Sequence, residues 1–127
     1  MARRNVLVVE DEAAIREIVC EILSWAGYDV RTARNGREAL DLLRHAGQRP
    51  DVIVLDITMP VTDGVTFRRT PLRDPELSRI PVIVASAVVP VHALPETRQL
   101  QKPFRLAELL AAIQEALDSS LTTYAAA

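Results

Sequence analysis

The chain has 127 residues, of which 49% are hydrophobic, with 15 basic and 17 acidic side chains and a formal net charge of −2. That suffices for a single domain, 1–127, with a sizeable core, and it excludes the strongly basic face of a nucleic-acid binder, Arg3-Arg4 and Arg68-Arg69 being short pairs read as solvated surface. No apolar stretch approaches the roughly 20 residues that cross a bilayer and the N-terminus has no apolar leader region, so the expectation is a cytoplasmic protein with no membrane partner.

Apolar runs alternate with helix-period segments along the chain. Val6-Leu7-Val8-Val9 reads as a buried strand. Residues 13–26 read as a helix with Ile15, Ile18, Val19, Ile22 and Leu23 on its apolar face. Cys20, the single cysteine, falls in this pattern and reads as a buried, inert thiol, which leaves no disulfide framework within the chain. Trp25 at the end of the pattern reads as packing, and Gly27 as the helix stop. Residues 28–32 alternate like a second strand, and Asn35-Gly36-Arg37-Glu38 resembles a capping box that opens a second helix, with Leu40 and Leu43 inward and an end near Gly47. A third strand follows over 51–56, and Met59-Pro60-Val61-Thr62-Asp63-Gly64 is loop.

The second half is less regular. Pro71 falls where a third helix belongs, and proline in a helix interior costs about 3 kcal/mol or more, so that helix is expected to be short or kinked. A fourth strand spans 81–85. Pro90 and Pro95 then argue against a full fourth helix. A short fifth strand is placed near 97–101, where the apolar signal is weakest. The last helix starts near Arg105 and carries Leu106, Leu109, Leu110, Ile113 and Leu117; the core spans about 4–118, and the tail from Asp118 is expected to fray. Strands alternating with helices imply a doubly wound α/β fold, a parallel sheet with helices on both faces.

Five charged or hydroxylic groups then fall at strand ends. Glu10-Asp11 follows the first strand, Asp56 closes the third, Ser86 the fourth, and Lys102-Pro103 follows the fifth. The carboxyl edge is where open α/β sheets place their ligand sites. Clustered carboxylates repel one another unless a cation intervenes, and Mg²⁺ takes such oxygen ligands while keeping waters and phosphate oxygens. Asp56 is then placed to attack phosphorus as a carboxylate nucleophile, with Lys102 and Ser86 left to pair with phosphoryl oxygens. Each group also has an ordinary reading: Glu10-Asp11 as the acidic start of a helix, Asp56 and Ser86 as loop residues, Lys102 as a solvated lysine.

With these residues in order, the chain resembles the receiver domains of two-component response regulators. The matching residues are Glu10-Asp11, Asp56, Met59-Pro60-x-x-Asp63-Gly64, Ser86 and Lys102-Pro103-Phe104. The resemblance implies a flavodoxin-like five-stranded parallel sheet of order 2-1-3-4-5. It implies Asp56 as phosphoacceptor, with Lys102 and Ser86 at the phosphoryl group. The implied Mg²⁺ ligands are Glu10, Asp11, Asp56 and the backbone carbonyl of Thr58. The donor would be a histidine kinase or histidine phosphotransfer protein, and output would pass by contact with another protein, from a stand-alone module that is monomeric or a weak homodimer. No substrate-turnover enzyme is expected. The peptide bond before the residue matching Pro103 is usually cis in the family, which X–Pro bonds permit.

Two departures from the family pattern stand out. The interval from Ser86 to Lys102 is one to two helical turns shorter than usual, which implies a shortened or remodelled fourth helix. The position three residues before the lysine, often Tyr or Phe, is Gln99, so signalling is expected to rely on rearrangement near 88–100 in place of an aromatic flip. The alternatives are a phosphorylation-independent binding module on the same fold and an aspartate-nucleophile phosphohydrolase. Thr58 argues against the latter, because such hydrolases carry a second acid two residues after the nucleophile.

Overall fold

Successive apolar segments build one sheet, beginning with β1 (Asn5–Val9), β2 (Asp29–Ala33) and β3 (Val52–Ile57). It is completed by β4 (Val82–Ser86) and β5 (Arg98–Gln101). Among the described residues three helices accompany it: α1 (Ala13–Trp25), α2 (Gly36–His45) and α3 (Leu106–Ala126). The computed structural model describes residues 3–45, 49–57, 79–86, 98–102 and 104–126, without the side chains of residues 45, 56, 57, 86 and 119–126. Both irregular helical regions expected from the sequence, around Pro71 and between Pro90 and Pro95, lie outside the described residues, as do Thr58, Asp63, Gly64 and Pro103.

The strand order is β2-β1-β3-β4-β5, parallel throughout, as expected. The continuous apolar character of β1, β3 and β4 follows from their position, since a central parallel strand is covered on both faces. Alternation sends Leu7, Val9, Ile53, Leu55, Val82 and Val84 to one face, where they pack with Ala39 and Leu43 of α2. Val6, Val8, Val52, Val54, Ile83 and Leu100 go to the other, where Leu23 of α1 and Leu109, Ile113 and Leu117 of α3 cover them. Leu100 alone supplies the apolar anchor of β5, which explains the weak signal there.

The first helix ends in a Schellman motif. The N–H of Gly27 donates to the Ser24 carbonyl and that of Tyr28 to the Leu23 carbonyl, both at 3.1 Å. Gly27 has φ +100°, a conformation that glycine adopts without steric cost. The second helix is capped by Asn35, whose Oδ1 accepts the Glu38 N–H at 2.8 Å. The return arm of a capping box is replaced: the Glu38 carboxylate accepts from Arg34 Nε at 3.1 Å.

Three expectations are corrected. Ile15 and Ile18 are exposed, at 40% and 56%, because Leu23 is the one fully buried side chain of α1 and the apolar stripe is wider than the strip the sheet covers. Trp25 is 87% exposed on the last turn of α1. Cys20 is half-buried. The backbone of α3 stays helical to Ala126, past Asp118, where the apolar period stops; no glycine or proline interrupts the chain after Pro103.

Candidate functional site

The site begins with strand register. Val9 of β1 pairs with Leu55 of β3, so the next residues, Glu10 and Asp56, stand level on adjacent strands. Asp56 is in register with Ala85, and Ala85 with Leu100; Ile57 is in register with Ser86, and Ser86 with Gln101. Lys102 follows directly. The backbone therefore brings Glu10, Asp11, Asp56, Ser86 and Lys102 to one edge of the sheet, the carboxyl edge, across four strands. The first and third strands lie side by side at the point where the winding reverses, the usual ligand crevice of such folds.

Glu10 is only 2% exposed, and among the described residues it is the one buried charged side chain. Both of its carboxylate oxygens are sealed from solvent. Its backbone is fixed as well: its N–H donates to the Ala33 carbonyl of β2 at 3.0 Å. Asp11, the next residue, is exposed, and so is Glu12, which caps α1 in an extended conformation, φ −85° and ψ 112°. One acid is thus held inside the sheet edge and another offered at the surface. Lys102 is half-buried. Gln99, in place of an aromatic, is half-buried on β5 in register with Val84.

Carboxylate residues at the ends of neighbouring strands are of the oxygen-donor type that a hard dication takes. Among the described residues no three His, Cys, Asp or Glu side chains converge on a metal position. Of the acids expected at the site, only Glu10 and Asp11 have described side chains.

One contributor escaped the sequence reading. Arg16, one turn into α1, donates from Nη1 to the backbone carbonyl of Glu10 at 3.0 Å. The available signal was a basic residue among Glu10, Asp11, Glu12 and Glu17.

A family model described as the response regulator receiver domain matches residues 6–114. The chain belongs to that family. The receiver domain is 41% identical over 120 residues to "Response regulator MprA" of Mycolicibacterium vanbaalenii, covering 89% of this chain and 50% of that protein. The chain thus spans about half the length of the curated relatives it matches. Among solved structures, the chemotaxis protein CheY4 of Vibrio cholerae superposes with a TM-score of 0.80 at 34% identity, covering 91% of this chain and 100% of the other. The response regulator TrrA of Thermotoga maritima, solved in complex with Mg²⁺ and BeF, gives a TM-score of 0.75 at 28% identity, covering 90% and 99%. No helix among the described residues is long and apolar enough to cross a membrane.

Proposed function

We propose that this receiver domain is a phosphoacceptor module that takes a phosphoryl group on Asp56. The observation that carries the reading is the level placement of Glu10 and Asp56 on adjacent strands, fixed by the Val9–Leu55 pair. The donor is a phosphohistidine of a histidine kinase or histidine phosphotransfer protein in the cytoplasm. A carboxylate oxygen of Asp56 forms the new O–P bond while the N–P bond of the donor breaks, and the electron pair of that bond returns to the imidazole. The charge of the transferring group must be neutralised as it moves.

Glu10, Asp11, Asp56 and the Thr58 carbonyl would hold Mg²⁺, which when bound would supply charge neutralisation at the carboxylates and the phosphoryl oxygens. Lys102 pairs with one phosphoryl oxygen and Ser86 donates a hydrogen bond to another. Output passes through contact with a second protein. No reaction with a turned-over substrate is part of this reading.

The test is the intact mass of the protein after incubation with acetyl phosphate and Mg²⁺, run beside Asp56→Asn. One phosphoryl adduct on the parent and none on the variant is the expected result. No adduct on a parent that demonstrably binds Mg²⁺ would instead favour a module that works without phosphorylation.

A further inference from the structure

The Glu10-Asp11-Glu12 segment joins β1 to α1 and carries two of the acids assigned above. Its two ends are tied by different residues. At the sheet side, the Glu10 N–H is held by Ala33. At the helix side, Arg16 holds it twice: its backbone N–H donates to the Glu12 carbonyl at 2.9 Å, and its guanidinium reaches back six residues to the Glu10 carbonyl at 3.0 Å. Arg16 is half-buried while Asp11 and Glu12, within the segment this staple closes, are exposed. Glu12 makes no side-chain cap of its own, and no acid occupies the first turn of α1. The guanidinium ties the connection from the other side, as a donor to a backbone carbonyl.

We infer that Arg16 is a positioning residue for the acidic site: it fixes the connection that presents Asp11 and so sets the site's affinity for a divalent cation. The inference rests on the reading of Glu10, Asp11 and Asp56 as cation ligands. Its logic is preorganisation, in that a connection ordered before binding loses less freedom when the cation arrives. Groups behind a ligand commonly tune metal affinity in this way.

The charge of Arg16 acts in the opposite direction. A guanidinium beside the acids repels an incoming dication, so removing the charge alone would tighten binding. Removing the staple loosens it. The sign of the change separates the two.

Mg²⁺ affinity by titration calorimetry, alongside the thermal midpoint of the metal-free protein, tests this on the parent, Arg16→Met and Arg16→Lys. The expected result is binding weakened about three- to tenfold in Arg16→Met, the worth of one hydrogen bond to the connection. Arg16→Lys, which keeps a donor of shorter reach and so retains part of the staple, falls between parent and Arg16→Met. A purely structural role would lower the thermal midpoint and leave the Mg²⁺ affinity unchanged, and that result overturns the inference. Tighter binding in Arg16→Met, or parent affinity in Arg16→Lys, overturns it as well. A parent that binds no Mg²⁺ overturns the site assignment itself, and this inference with it.

Discussion

Asp51 grips Asn5 at the amino ends of the two strands whose carboxyl ends carry Glu10 and Asp56. Asp51 Oδ2 accepts the Asn5 N–H at 2.7 Å, and the Asp51 N–H donates to the Asn5 carbonyl at 2.7 Å. Arg4 lies 3.8 Å from the other carboxylate oxygen, in a half-exposed pair that contributes little. This double bond pattern starts the β1–β3 pairing, and a one-residue slip in that pairing would exchange the faces of the strand. Asp51→Ala leaves the Asn5 N–H without its acceptor and is expected to destabilise the domain by about 1–2 kcal/mol. Denaturant unfolding with an unchanged slope and a lowered midpoint is the expected readout. An unchanged midpoint would show that the register is held by the apolar contacts alone.

The first helix gives a paired prediction. Leu23 is fully buried and Ile18 is 56% exposed, although both lie on the apolar stripe. Leu23→Ala is expected to cost about 2–5 kcal/mol through lost burial and a cavity. Ile18→Ala should stay within about 0.5 kcal/mol, as surface changes do. Comparable losses in the two variants would mean that Ile18 is covered in solution.

Gly27 isolates backbone conformation from packing. A Cβ added there meets nothing within 4 Å, so the site has room, yet its φ of +100° disfavours any L side chain. Gly27→Ala is expected to lower stability by about 1–2 kcal/mol, and Gly27→Asn by less, because asparagine tolerates this region. Equal thermal midpoints for parent and Gly27→Ala would show that the helix end rearranges without cost.

Much of this architecture was legible in the chain. The runs of β1, β3 and β4 are apolar at every position because they are covered on both faces, and that pattern differs from the spaced stripe of a helix. The order of polar residues after those runs pointed to one edge, since a parallel sheet puts all its strand ends on the same side. Gly27 and Asn35 announced helix ends because each satisfies backbone groups by local chemistry alone. These features depend on neighbours in sequence, so the sequence carries them.

Other features depend on what packs against what. An apolar stripe on α1 reads the same whether the sheet covers all of it or a part, so Ile15, Ile18 and Trp25 were misjudged where Leu23 was not. The backbone of α3 is helical to Ala126, past the point where the apolar period stops. The sequence by itself determined the strand segments, the stop at Gly27 and the order of polar residues after the strands, because repeating patterns and local hydrogen bonds encode them, while the strand order followed from the family resemblance. Only the tertiary structure decided that Glu10 is buried level with Asp56 and that Arg16 folds back on the Glu10 carbonyl, because register and reach between separate elements are set by how the whole sheet and its helices pack.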